Sequence, residues 1–391
     1  MATSGKIGNL APSPRGGKIK VFQVIECGDP GGASNQVAAI CNGLDPRLFE
    51  VGLVFASRGS DPEAFRRQAS GAVKSFYVPE MIREISPGKD AAAFRKLLAI
   101  LRAEKPDVVH AHSSKAGVLA RLAGLAAGVP NILYSPRAYG FLRQDRPWAS
   151  RAFYWAAELS VSWIGGIAAT SPSELRLSRT LAWGKKVHEI HDACLLDFPD
   201  AGRPRGGRED GLLFGACGRI TAQRHPEAFV RLCRALTEAR PGLRCAWLGS
   251  GDEESAMRRS LREMKIESRV DMPGWIKPPE LWRRMSAFDV FVHYSRWDSL
   301  GSVILEAMAL GLPIVASARS GSRDAVVHGV TGFLARDEEE LRDYCLRLAD
   351  DPGLRRRMGE AGRARARQEF SLATLIDKLT ALYGAAPLAD R

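Results

Sequence analysis

The chain has no run of about 18 consecutive apolar residues, which excludes a membrane-spanning helix. Its longest apolar stretch, residues 155–169, is too short and carries Glu158 and two glycines. Cysteine is sparse, with seven among 391 residues, an odd number with no pair at CxxC spacing. That argues against a disulfide framework and implies reduced, buried thiols in a cytoplasmic protein. No secretory-type apolar core opens the sequence. Residues 1–17 are dominated by Gly, Ser and Pro and are expected to form a loose tail. Neither the dinucleotide-binding GxGxxG pattern nor the P-loop pattern occurs.

Positive charge is in excess. Lys and Arg number 56 against 44 Asp and Glu, a net charge of +12. The excess divides into +7 over residues 1–200 and +5 over the remainder. It forms no concentrated basic stripe, and no nucleic-acid module is recognisable, so nucleic acid is not an expected partner. Phosphate-bearing small molecules and anionic membrane surfaces both fit the charge.

Short β-rich runs alternate with helical periodicity. Strands are predicted at 21–25, 51–55, 108–110, 132–135 and 167–170, then at 244–248, 270–272, 290–293 and 313–316. Helical patterns at 91–104 and 118–127 fall between the earlier runs. Such alternation implies parallel sheets with helices on both faces. Residues 18–44 and 211–236 repeat one plan of strand, turn and helix, so two α/β domains are expected. The polar stretch 199–210, rich in Gly and Pro, is the predicted linker. The expected division is a tail over 1–17, domains over 18–198 and 199–370, and a C-terminal segment over 371–391. Ligands of such domains sit at the carboxyl ends of the strands.

Three segments carry candidate chemistry. In SRWDSLGSVILEAMALGLPIVAS (295–317), Asp298 and Glu306 flank a turn, Ser299, Leu300, Gly301 and Ser302, that feeds a helix. Unpaired amides at a helix start suit an oxyanion or sugar hydroxyls, and Glu306 can accept hydrogen bonds from a ribose diol. Helix capping by Ser302 with a solvated Glu306 accounts for the same spacing. In CGRITAQRH (217–225), Arg219 and Arg224 follow a predicted strand, and two guanidiniums across a turn can clamp a diphosphate. In GDPGGAS (28–34), Gly31 and Gly32 allow backbone amides to approach a phosphate closely, although an ordinary strand-to-helix turn has the same composition.

Taken together, these segments resemble the retaining, nucleotide-sugar-dependent glycosyltransferases of group 1 (family 4). The resemblance runs over about residues 19–380. DSLGSVILEAMALGLPIVAS matches the family's Glu-x7-Glu region, GRITAQRH its Arg/Lys turn, Gly31-Gly32 its glycine pair, and SGSRDAVVHGVTGFL (320–334) a later Gly-rich stretch. HAHSSKAGVLARLAG (110–124) is similar to capsule and exopolysaccharide transferases.

The resemblance implies a GT-B fold, two Rossmann-like domains facing an interdomain cleft. It implies a UDP-sugar or GDP-sugar donor, no separate cofactor and no metal, since the chain has no Asp-x-Asp triplet. The acceptor is expected to be a glycan, polyprenyl-linked or small hydroxyl compound. The expected location is the cytoplasm, at the inner membrane face if the protein contacts lipid. Arg219 and Arg224 would hold the diphosphate, Glu306 the ribose, and Asp298 with the Ser299–Ser302 amides the sugar. The base would lie near Trp275 and Ile276, although Trp275 in a core is an equally valid reading. Gly31 and Gly32 would close over the diphosphate or acceptor, and the segment 371–383 would cross back to the first domain as a helix.

The chain departs from the family at four positions. Asp298 replaces the first Glu, and Arg224 replaces the Lys. The family's His-Gly appears as Arg137-Ala138, and its Asn-Gly appears as Asp192-Ala193. Arg137 and His112 are candidate sugar or acceptor contacts, with only one of His110 and His112 expected to face the ligand. His188, His191, Asp192 and Cys194 are of zinc-ligand type but lack an evident complete set. Residues 143–163 interleave Arg with aromatics, which fits either a core-facing helix or a membrane-surface contact. A sugar-nucleotide epimerase or hydrolase on the same fold is the alternative activity, and a basic nonenzymatic binding protein the remote one.

Overall fold

The protein is described from a computed structural model that places residues 17–143, 147–182, 186–196 and 211–385. The chain forms two compact units. One comprises the described residues within 17–142, 147–192 and 372–385, and the other Arg143 and the described residues within 193–371. Residues 1–16 of the predicted tail and the predicted linker 199–210 lie outside the described residues.

The first unit is a seven-stranded parallel sheet. Its strands are β1 (Ile19–Ile25), β2 (Phe49–Phe55), β3 (Lys74–Tyr77), β4 (Val108–His112), β5 (Asn131–Ser135), β6 (Gly166–Ala169) and β7 (Val187–Glu189), in the order β3-β2-β1-β4-β5-β6-β7. The central strands read as apolar runs because both faces are covered. Val21, Val24, Leu53, Val54, Val109 and Ala111 are fully buried. The helices are α1 (Gly32–Gly43), α2 (Pro62–Gln68), α3 (Pro87–Glu104), α4 (Ser114–Ala127), α5 (Trp148–Val161) and α6 (Pro172–Leu181).

The second unit has six parallel strands: β8 (Leu213–Cys217), β9 (Arg244–Leu248), β10 (Val270–Gly274), β11 (Val290–His293), β12 (Ile314–Ser317) and β13 (Gly332–Ala335), ordered β10-β9-β8-β11-β12-β13. Its helices are α7 (Pro226–Ala239), α8 (Glu254–Glu263), α9 (Glu280–Met285), α10 (Ser302–Ala309), α11 (Ser320–Ala325), α12 (Glu338–Asp350) and α13 (Pro352–Glu369). The last helix, α14 (Leu372–Gly384), belongs to the first unit, where it packs on α1 and β1.

Each strand order reverses once, between β1 and β4 in the first unit and between β8 and β11 in the second. A crevice opens at such a switch point beyond the carboxyl ends of the strands. The Gly31–Gly32 turn follows β1, and His112 ends β4. The Arg219–Arg224 turn follows β8, and the Asp298 loop follows β11. Topology alone therefore gathers the chemistry-bearing residues of each unit at its own switch point.

The sequence did not indicate β3, β7 and β13. β3 and β7 are short, half-exposed edge strands with no buried run, and β13 lies in a Gly-rich stretch. The seven cysteines are unpaired and six are buried, which raises the thiol pKa of Cys41 to about 12.

Candidate active site

In the second unit, the β8 turn and the β11 loop converge on one guanidinium. Arg224 Nη1 lies 2.6 Å from Asp298 Oδ2, 2.7 Å from His293 Nε2 and 3.1 Å from Ser295 Oγ. His293 ends β11 and is buried, and its Nε2 also lies 3.0 Å from Asp298 Oδ2. Asp298 Oδ1 accepts the Ser299 amide at 3.1 Å. Both Asp298 oxygens are thus engaged within the protein, and the carboxylate anchors Arg224. Burial opposes ionisation of Asp298, but the Arg224 charge and the His293 hydrogen bond outweigh it. Its pKa falls well below the usual carboxylate range. His293 is held neutral by burial and by the Arg224 charge. Arg219 is exposed and, among the described residues, makes no hydrogen bond or ion pair.

Beside this anchor starts α10. Gly301 precedes it at φ +78, a left-handed conformation that L side chains resist. No side chain caps the helix, and the amides of Leu300, Gly301, Ser302 and Val303 have no hydrogen-bond partner among the described residues. The loop is packed from behind by Gly321, where a Cβ would fall 1.7 Å from the Ser299 carbonyl oxygen. Ser302 therefore does not close the helix start, and its amides remain available to an anion.

Glu306 lies one turn along α10. Burial pushes its carboxyl up to about 7, with the Trp282 indole pulling weakly the other way, and its Oε2 is sealed from solvent without a hydrogen-bond partner. A buried carboxyl left unsatisfied is costly unless a ligand completes it. Trp275, at the end of β10, is 53% exposed, which excludes the core reading, while Ile276 packs partly against the core.

In the first unit, the Gly31–Gly32 turn opens α1, with the backbone extended at Gly31. Asp29 fixes this loop by accepting the amides of Arg58 (2.8 Å) and Ser60 (3.1 Å) and the Ser60 hydroxyl (2.8 Å). Glu26, at the end of β1, is buried and accepts from Ser113 Oγ and from the Ala116 amide.

His110 and His112 lie on the same side of β4, as residues two apart on a strand must. Their ring centroids are 4.1 Å apart, so the expected division between them does not occur. Both are buried, and both rings are fully used. Arg137 Nε donates to His112 Nδ1 (3.2 Å), which fixes the other nitrogen of His112 as a donor to Gln23 Oε1 (2.7 Å). Gln23 Nε2 donates to the Tyr383 hydroxyl (3.0 Å), which pairs with His110 Nδ1 (2.7 Å). His110 Nε2 pairs with Ser135 Oγ (2.9 Å), and Ser135 donates to the Ala168 carbonyl (2.9 Å). A single proton direction satisfies every link only while both imidazoles are neutral. Burial enforces this, lowering His110 to about 3 and His112 further below its usual value. His112 therefore has no nitrogen free for a sugar or acceptor.

Arg137 and Ala138 both adopt positive φ, 51° and 72°. The Glu174 carboxylate holds this turn by accepting the Ala138 amide at 2.9 Å. Arg137 Nη1 lies 2.5 Å from Asp192 Oδ1. Asp192, His191 and Cys194 have separate partners: Arg137, Glu189 and the Leu196 carbonyl. Among the described residues, no group of three His, Cys, Asp or Glu is placed to hold a metal ion.

The missed partners His293, Gln23 and Tyr383 are ordinary strand or helix residues by sequence, and Ser295 is an ordinary loop serine. A polar residue inside an apolar run, as Gln23 is within VFQVI, was the only signal available for them.

Two parallel α/β units, one with a fixed Arg beside an uncapped helix start and a carboxyl with one sealed, unpartnered oxygen, form an arrangement whose chemistry suits phosphate and hydroxyl groups. Comparison with known proteins gives the family. The family model for glycosyl transferases group 1 matches residues 200–365, and that for the glycosyl transferase 4-like domain matches residues 31–193. The chain belongs to the group 1 glycosyltransferases. It is 26% identical to the Escherichia coli UDP-Gal:alpha-D-GlcNAc-diphosphoundecaprenol alpha-1,3-galactosyltransferase, over 80% of this chain and 84% of that protein. It is 24% identical to the putative glycosyltransferase EpsD of Bacillus subtilis, over 81% and 88%. Among solved structures, Anabaena HepE in complex with UDP and glucose superposes with a TM-score of 0.74 at 20% identity, over 92% of this chain and 98% of that one. WaaG, a glycosyltransferase of lipopolysaccharide biosynthesis, superposes at 0.71 and 15%, over 94% and 100%. The fold is of the GT-B class.

Proposed function

We propose that this glycosyltransferase moves a sugar, with retention of anomeric configuration and without a metal, from a UDP-sugar or GDP-sugar to a polyprenyl-linked or glycan acceptor presented at a membrane surface. The observation that carries the reading is the fixed Arg224 next to the uncapped start of α10 and the unsatisfied Glu306.

Arg224, with the unpaired Arg219, binds the donor diphosphate and stabilises the charge that builds on it as the glycosidic bond breaks. Asp298 and His293 position Arg224. The α10 amides bind a phosphate or sugar hydroxyl, Glu306 accepts from the ribose diol, and Trp275 offers an exposed face to the base. The bond between anomeric carbon and phosphate oxygen breaks. The acceptor oxygen bonds to that carbon on the same face, and its proton passes to the departing phosphate. No protein nucleophile is needed, and two cationic side chains neutralise the leaving group. The similarity to the E. coli galactosyltransferase supports the polyprenyl-linked acceptor class.

The test is a thermal-shift panel of UDP, GDP and their sugars, followed by product analysis with a polyprenyl-diphosphate-linked sugar. One base stabilises selectively, and the new linkage keeps the donor's anomeric configuration. Release of free sugar or an epimer without transfer to the acceptor refutes the reading.

A further inference from the structure

α5 is turned the wrong way for a core helix. Only Glu158 and Val161 of its 14 residues are buried. The outward side carries Trp148, Ala149, Ala152, Phe153, Trp155 and Ala156, all exposed. Trp148 is 80% exposed, Phe153 50% and Trp155 48%, and Trp163, just past the helix, is 51% exposed. The buried side carries the charge, since Glu158 pairs with Arg121 at 2.9 Å and the Arg121 guanidinium lies over the Tyr134 ring at 4.2 Å. This arrangement overturns the core-facing reading of residues 143–163. The same surface continues onto α4 through Leu122 and Leu125, 38% and 48% exposed.

A contiguous exposed patch of this composition marks an interaction site. We propose that α5 docks the protein onto an anionic lipid bilayer, with Trp148, Phe153, Trp155 and Trp163 entering the headgroup boundary. Indole rings favour that boundary because each joins an apolar body to a polar N–H. The charge fits. Glu158 is the single acid of α4 and α5, and it is neutralised by Arg121. The neighbouring cations Lys115, Arg121 and Arg137 are paired with Asp90, Glu158 and Asp192, so the charge that this surface shows is that of Arg151. Arg151 lies exposed on the flank of the patch, its Nε bonded to the Phe141 carbonyl at 3.0 Å. Anionic headgroups complement this surface, whereas the same patch of a second copy offers no free acid to answer Arg151, since Glu158 is taken by Arg121. A single helix of 14 residues is also only about 21 Å long, and a stable dimer needs about 800 Å² on each partner. The inference deepens the reading of a membrane-presented acceptor but does not depend on the donor.

The experiment is flotation of the full chain with vesicles of phosphatidylcholine alone or of phosphatidylcholine mixed with phosphatidylglycerol. A Trp148→Ser/Phe153→Ser/Trp155→Ser variant is run in parallel. The expected result is that the wild type floats with anionic vesicles, less so as salt rises, and that the variant loses at least about tenfold in partitioning. Because the replaced side chains are exposed, the variant keeps its melting temperature and its shift with nucleoside diphosphates. Three results overturn the proposal: a wild type that stays unbound to anionic vesicles, a variant that binds equally well, or a patch buried in a dimer that the variant dissociates. If flotation succeeds while no donor produces transfer, the function above fails and the docking surface stands.

Discussion

Arg137 and Asp192 form an ion pair, 2.5 Å apart, at the carboxyl ends of the first unit's strands. These are the two places where the sequence departs from the family's His-Gly and Asn-Gly. One departure adds a cation and the other an anion, and the structure sets them against each other. The substitutions compensate, and the guanidinium is then steered by His112, which is itself aligned through Gln23 and Tyr383 to α14. Arg137 is therefore held from two sides, by Asp192 and by His112.

The pair predicts non-additive energetics. Removing one member leaves a buried, uncompensated charge, so Arg137→Ala and Asp192→Ala are each expected to cost about 3–5 kcal/mol. The double variant Arg137→Ala/Asp192→Ala is expected to lose less than the two single replacements summed. A double-mutant cycle by chemical denaturation reads the coupling, and additive losses would mean that the two residues are independent.

Arg224 and its anchor predict a split in kinetics. Arg224→Ala is expected to lower the rate of transfer by about 100-fold or more, the scale for losing one preorganised donor to a developing charge. Asp298→Asn keeps the shape but removes the countercharge, so Arg224 is less firmly held and the loss is smaller. Arg224→Lys is expected to recover only part of the rate, because a point charge does not reproduce the guanidinium fork. Steady-state kinetics on all three variants gives the order.

Glu306 predicts a pH signature. Its folded pKa, about 7, lies above its unfolded value. The unfolded chain therefore ionises first, and stability falls as pH rises from about 4.3, the ordinary carboxyl value, towards 7, then levels off. Glu306→Gln is expected to melt several degrees higher than wild type at pH 8 and to differ little at pH 4. A ribose diol hydrogen-bonds the ionised form, so binding should tighten as pH rises towards 7 and release a proton. Calorimetry in buffers of different ionisation enthalpy detects that proton.

The buried imidazoles act at the acid end. His110 and His112 have folded pKa values below the unfolded value, so the unfolded chain takes up protons first as pH falls. Stability is fully present above about 6.5 and declines below it, at about 1.4 kcal/mol per pH unit for each histidine. Tyr383→Phe interrupts the chain between Gln23 and His110 and is expected to lower the melting temperature at every pH. Denaturation curves from pH 7.5 to 5 measure both effects.

Much of this arrangement was legible in the sequence. Strand-helix alternation gives the two parallel sheets, and the turns after β1, β8 and β11 fall where a switch point places them. Arg224, Glu306 and the α10 start carry local signals: Gly before a helix, Arg after a strand, Glu one turn in. What was not legible depends on residues distant in sequence. Asp298 read as a free carboxylate because its bond to Arg224 spans 74 positions. His112 read as a ligand contact because its partners come from β1 and the Arg137 turn. α5 stayed open between a core-facing and a surface helix because its hydrophobic periodicity fits both, and the Arg121–Glu158 pair shows which side faces inward.

The most direct test of the central claim is transfer from a single donor by the wild type and by Arg224→Ala and Glu306→Ala. Product anomeric configuration is read by NMR, and folding is monitored by melting temperature. The account predicts a retained linkage with the wild type and rates reduced by about 100-fold or more in folded Arg224→Ala protein. Glu306→Ala is predicted to show weakened nucleotide binding. Full activity in both variants, or an inverted linkage, would contradict it.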